Sequence, residues 1–379
     1  MYLKKEEKLL SATSIASGGD FPMIGSDALR LALCLYSTES SHINFNLMVA
    51  VECRKFFLKI WNIMRFVITL FEHDKFIKEQ EANGKLGNIE TSFQPRAGDV
   101  WILSKLCDVI DTTNTHLSNH NVSAAARSLQ FFWKETFSSV YVEYCKSCFT
   151  PVINEEGKGV GYQATNDQQI AIAVNILRVA ETALRLFSPF APFLTEELWQ
   201  RLPKQYLNRE FPESITVAAY PRLDEFPKHR DQKLVDEFDF ILSVCQRART
   251  EILEFQMSRQ VEVVFLCKDA TSVAQVSKQL NDMGALLMRH ELVVQHWEDE
   301  NLPEDCFGFI DQDSSISTVY RILDHEEFFG ENMKSKFRKN MGESWKKALI
   351  GIDGVEEKQK LIEKIKNTEK WKNSWNRLK

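Results

Sequence analysis

Five polar side chains at helical spacing are the residues of this sequence best suited to hold a ligand. Over residues 54–71 (RKFFLKIWNIMRFVITLF), a rotation of about 100° per residue gathers Arg54, Lys55, Lys59, Asn62 and Arg65 on one side. Phe57, Ile60, Trp61, Met64, Ile68 and Phe71 share the other side. Cations neutralise anionic groups, so this face is chemically suited to a polyanion. The same residues would serve equally as the solvated face of a packed helix, and the residues alone leave that alternative open. Trp61 and Trp133 fall on apolar stripes, which favours core packing over stacking on a base.

Other chemistries find no support. The phosphate-cradling patterns GxGxxG and GxxxxGK[ST] do not occur, and neither do GxSxG or HExxH. The eight histidines are dispersed, and the eight cysteines form no paired sets with zinc-ligand spacing, so no metal site is expected. Cys145 and Cys148 lie on an expected helix beside an apolar stripe and read as two buried thiols rather than as a redox or metal pair. Unpaired cysteines point to a reducing compartment, cytoplasmic or mitochondrial. Glu6 and Glu7 interrupt a presequence, which favours the cytoplasm. No apolar run is long enough for a membrane span. Apolar residues make up 44% and charged residues 26%, enough to fill ordinary cores and solvate an ordinary surface. The net charge of −6 is uneven: residues 331–379 carry 14 Lys and Arg against 7 Asp and Glu. A basic tail on an acidic body suits a polyanion, or simply stays solvated.

The elements that would position these residues are mostly helical. After Gly18, Gly19 and Pro22, helical patterns cover 54–71, 99–115, 122–149 and 166–187. In the third, Trp133, Phe137, Val140, Tyr141 and Tyr144 follow helical spacing; in the fourth, Ile176, Val179, Ala180, Ala183, Leu184 and Phe187 do so. Pro189 and Pro192 break the chain, and Thr195, Glu196 and Glu197 are expected to open a short helix. Successive amphipathic helices read as a bundle. The pattern then changes: SITVAAY (214–220), VEVVFLC (261–267), ELVVQHW (291–297) and ISTVYRIL (316–323) look like strands, with helices at 231–256 and 270–287. This is a small α/β unit, followed from about residue 330 by a basic helical tail carrying Trp345, Trp371 and Trp375.

Six stretches in order resemble the class I tRNA synthetases for valine, isoleucine and leucine. GSDALRLAL (25–33) is similar to their "G[TA]DALRF", INFN (43–46) to "DINLD", and RKFFLKIWN (54–62) to "YRxFxNKLWN". DVWILS (99–104) resembles "DRWILSRL", Phe132-Trp133 with VYVEY (140–144) resembles "FWLYELCDVYLE", and LFSPFAPFLTEELW (186–199) is close to "LLSPFMPFxTEELWQRL". Residues 214–223 resemble "SIMVAPYP", and FILSVCQRAR (240–249) looks like the valyl "FVLSVIxAIRSLR".

The resemblance implies a mainly α fold. Its parts would be a leader at 1–20, a helical anticodon-binding domain at 21–213, a small α/β connecting domain at 214–330 and a basic helical tail at 331–379. The tail is a remnant of the family's coiled-coil arm, which only residues 355–366 resemble. The implied function is binding of tRNA(Val) in support of ATP-dependent attachment of valine. Arg54, Lys55, Lys59, Asn62 and Arg65 are the RNA-facing candidates, while Asp27 and Arg30 make structural contacts at the domain junction. ATP and magnesium belong to the family's catalytic half, marked by HIGH, an editing insertion and KMSKS. No such stretch occurs in residues 1–379, so no cofactor and no aminoacylation are expected of this chain alone. A catalytic domain upstream in the full-length protein is an expected partner, and neither DNA nor membrane is. The alternative is a non-catalytic, synthetase-like paralogue acting as an RNA- or protein-binding module.

Overall fold

In the computed structural model, the described residues are 23–36, 45–73, 96–149, 152–153, 159–160, 166–207, 209–226, 232–254, 261–287, 292–297, 306–308 and 315–322. The expected leader and basic tail lie outside them. In chain order the helices are α1 (Ser26–Cys34), α2 (Leu47–His73), α3 (Ala97–Ser118), α4 (Val122–Phe131), a π-helical stretch (Phe132–Val142) and α5 (Glu143–Phe149). There follow α6 (Asn166–Phe187), α7 (Pro192–Arg201), α8 (Gln232–Glu254), α9 (Ala270–Lys278) and α10 (Leu280–Leu287). The strands are β1 (Val152–Ile153), β2 (Gly159–Val160), β3 (Val261–Cys267), β4 (Leu292–His296), β5 (Cys306–Gly308) and β6 (Ile316–Ile322).

Two compact units divide these elements, with α10 joining the first and the second beginning within α8 at Val244. In the first, α6 touches α2, α3, α5 and α7. Its expected stripe is fully buried, but so are Glu181, Thr182 and Arg185 toward the opposite side, making it the central helix rather than an amphipathic one. The charges buried on this helix are paired. Arg185 holds Glu181 at 2.8 Å and Glu225 at 2.9 Å, and Arg209 also bonds Glu181. That network ties α6 to the irregular chain at 209–225.

A second buried network fixes the neighbouring helices. Asp99 sits in the first turn of α3 and accepts from Arg96 Nε at 3.0 Å and Tyr141 Oη at 2.8 Å. Arg96 also donates to Cys148 Sγ at 2.8 Å and lies 4.2 Å over the Tyr144 ring. Tyr141 in turn accepts from Asn175 of α6 at 2.7 Å, and Tyr144 Oη donates to Asp282 of α10. Gly98 makes this approach possible: a Cβ there would lie 2.5 Å from the Tyr144 ring. Burial pushes the Cys145 and Cys148 thiols up, so both stay protonated and unreactive near neutral pH.

The third expected helix is continuous but not uniformly α. Across Phe132–Val142 the turns widen, and Phe132 stacks on Phe137 five residues on, with ring centroids 6.1 Å apart at 9°. Trp133, Phe137, Tyr141 and Tyr144 are buried as expected; Val140 is half-exposed and Val142 takes a core place instead. The helix expected from Thr195 begins earlier, with Pro192 at its first position. Its N-terminal acid comes from another element: Asp27 of α1 accepts from Leu194 N at 2.7 Å. Arg30 Nε donates to Pro189 O at 2.8 Å from the same helix.

The strand expected at 214–220 is absent: residues Ile215–Val217 form a single tight helical turn. Glu196 takes the Ile215 N–H at 3.0 Å and Ser214 caps its own turn, so those donors go to side chains instead of a sheet. The helix expected at 270–287 is broken at Gln279 into α9 and α10. The second unit holds a sheet in the order β4-β3-β6-β5, with β3 parallel to β4 and antiparallel to β6. β5 has no counterpart among the expected strands. Both faces of β3 are covered from Val263 to Cys267, which accounts for its unbroken apolar run. Tyr320 of β6 donates to Glu251 of α8 at 2.7 Å.

Asp99→Ala would remove the carboxylate that holds Arg96, whose side chain is 7% exposed. The expected loss of stability is about 3–5 kcal/mol, measured by urea unfolding followed by circular dichroism.

Candidate nucleic-acid interface

The apolar stripe of α2 is rotated from the expected one. Phe56, Ile60, Ile63, Met64, Val67 and Phe71 are buried, while Phe57, Trp61 and Ile68 are half-buried. The cause is a neighbour on more than one side. Phe56 meets Phe187 of α6 edge-on at 5.7 Å, α1 packs along α2 as well, and the π-helical stretch covers a further flank. Trp61 is therefore not a core residue; its ring lies 5.4 Å below the Arg201 guanidinium.

Between α2 and the helix running through the π-helical stretch into α5 lies an open groove of about 390 Å³. Lys55, Lys59 and Asn62 line one wall, and Ser138, Glu143 and Lys146 line the other. Leu58, 49% exposed, and half-buried Phe66 give it an apolar surface. Three of the five residues expected to face RNA therefore meet in one place. Asn62 is exposed, and Lys55 pairs with Glu52 at 2.8 Å with both ends largely in solvent, a contact worth well under 1 kcal/mol. Lys59 is differently placed: its ammonium is half-buried and donates to the Lys134 carbonyl at 3.1 Å, bridging the two walls. Arg54 donates to Met23 O at 2.5 Å, and exposed Arg65 is outside the groove lining.

Lys146, Glu143, Ser138 and Phe66 were not among the sequence candidates. The second wall comes from a segment some 80 residues downstream, and only packing brings it beside α2. The one available signal was that Glu143 and Lys146 are the charged residues between buried Val142, Tyr144, Cys145 and Cys148. They pair at 2.6 Å, and the Lys146 ammonium lies 5.9 Å from the Phe66 ring. Cations, an amide, a carboxylate and an aromatic face around an open groove suit single-stranded RNA, whose splayed bases are stacked and read on their edges. Among the described residues, no three His, Cys, Asp or Glu side chains converge as metal ligands would. No described helix is long and apolar enough to cross a membrane.

Comparison with known proteins agrees with this architecture. Residues 99–264 match the anticodon-binding domain of tRNA ligases. Within that class the chain corresponds to the C-terminal part of the valine–tRNA ligases. It is 29% identical over 286 residues to valine–tRNA ligase of Caenorhabditis elegans, covering 74% of this chain and 25% of that protein. It is 30% identical over 334 residues to the mitochondrial valine–tRNA ligase 1 of Arabidopsis thaliana, covering 83% and 28%. Against the mitochondrial valine–tRNA ligase of Saccharomyces cerevisiae it is 25% identical over 318 residues, covering 80% and 26%. The chain thus spans about a quarter of the length of these relatives. The α5 wall of the groove lies inside the matched domain segment, and the α2 wall precedes it.

Lys59 and Lys55 should separate cleanly in a stability measurement. Lys59→Met removes a charge-assisted bond to a helix carbonyl and is expected to cost about 1–2 kcal/mol in urea unfolding. Lys55→Ala is expected to change stability by less than about 0.5 kcal/mol.

Proposed function

We propose that this chain is the tRNA-binding part of a valine–tRNA ligase and that the groove between α2 and α5 receives unpaired nucleotides of tRNA(Val). The observation carrying this reading is the convergence of Lys55, Asn62 and Lys146 on one groove that also presents Leu58 and Phe66. Lys55 and Lys146 supply phosphate neutralisation, Phe66 a face for a base, and Asn62 a donor and an acceptor for a base edge. Lys59 holds the walls in register and adds positive potential. Arg65, exposed beside the groove, adds to that field. Asp27 and Arg30 act at a distance from it, anchoring α1 to α7.

In this reading, valine activation with ATP and magnesium belongs to a catalytic domain outside this chain. The chain contributes tRNA affinity and orientation, without a cofactor of its own.

Binding of a fluorescently labelled tRNA(Val) to the purified chain, titrated with salt, tests the reading. Affinity should fall steeply as salt rises, and Lys55→Ala with Lys146→Ala should lower the slope of log Kd on log salt by about two, one per lost phosphate contact. No binding at low salt, or a slope unchanged in the double variant, would overturn it.

A further inference from the structure

Resting on that reading, we propose that Glu143 is a base-discriminating residue: its carboxylate accepts from the exocyclic amine of a nucleobase in the groove and rejects uracil at that position. Among the described residues lining the groove, Glu143 is the one acid beside three lysines. For phosphate binding alone an acid there is a liability, because it repels the ligand and neutralises a lysine. For reading a base it is an asset, because a carboxylate only accepts hydrogen bonds and so distinguishes an amine from a carbonyl.

The geometry suits that use. Val142 and Tyr144 are buried on either side of Glu143, and Tyr144 is locked by Arg96 and Asp282, so the backbone that carries Glu143 is fixed in rotation. The side chain is 33% exposed and is paired with Lys146 at 2.6 Å. The Lys146 ammonium also lies 5.9 Å from the Phe66 ring. An RNA strand would exchange that pair for two new ones, the ammonium going to a phosphate and the carboxylate to the base edge. Both are charge-assisted bonds that replace a single half-exposed ion pair. Leu58 and Phe66, on the opposite wall, provide the apolar surface for the base face.

Cytosine and uracil separate this proposal from shape or stacking. They are isosteric, and the N4 amine of one is replaced by the O4 carbonyl of the other. The experiment uses the full chain and hairpin RNAs with the anticodon stem and loop, each loop position made C or U in turn, with Kd read by fluorescence anisotropy at one fixed salt. At one loop position the wild-type chain should bind C about tenfold or more tighter than U. Glu143→Gln, whose amide presents either a donor or an acceptor, should bring that ratio toward unity without a change in thermal midpoint. Lys146→Met should weaken C and U hairpins by the same factor and leave the ratio intact. RNA bound with no C-over-U position, or with a ratio that survives Glu143→Gln, overturns the role of Glu143 alone. No RNA bound at low salt overturns the proposed function and this role together.

Discussion

One buried carboxylate governs how the walls of the groove are turned. Asp99 holds Arg96, and the two together contact Tyr141, Tyr144 and Cys148 along a single helix. A charged pair in a closed core tolerates little rotation, because each lost hydrogen bond exposes an ion to a medium that cannot solvate it. Those contacts fix which residues of the π-helical stretch and α5 face inward. Ser138, Glu143 and Lys146 are among the residues left outside the core, and they line the groove beside α2. Asn175 of α6 and Asp282 of α10 complete the network, so the central helix and the last helix of the unit help set the same orientation.

The π-helical stretch makes this arrangement compatible with packing. Its wider turns put Phe132 over Phe137 and move Val142 into the core in place of Val140. They also place the Lys134 carbonyl where the Lys59 ammonium reaches it. A lysine that looks like a phosphate ligand in sequence thus serves as a strut between the two walls. The cations left for a polyanion are the neighbours whose partners are weak or solvent-exposed, Lys55 and Lys146 above all.

The α1–α7 contact shows the same economy elsewhere in the unit. Pro192 opens α7 without a capping side chain of its own, and Asp27 supplies the missing acceptor from over 160 residues away in sequence. Sequence reading places acids in the first turn of α7 at Glu196 and Glu197, but the helix starts three residues before Thr195. Glu196 is then free to bind Ser214 and Ile215, which turns a stretch of β-prone residues into a tight turn. Local propensity lost there to a side chain that arrives from a neighbouring helix.

The sequence by itself determined the helical bundle, the α/β character of the second unit and the relationship to the valine–tRNA ligases. Each is written in local periodicity or in short motifs that survive without knowledge of contacts. It also placed Lys55, Lys59 and Asn62 together on one helix, since spacing along a helix is a local property. Only the tertiary structure decided what those residues meet. The rotation of α2, the half-exposure of Trp61, the capture of Lys59 by a carbonyl and the pairing of α2 with Glu143 and Lys146 all depend on helices far apart in the chain. Periodicity fixes which side chains share a face, but the number and position of packing neighbours decides which face is buried.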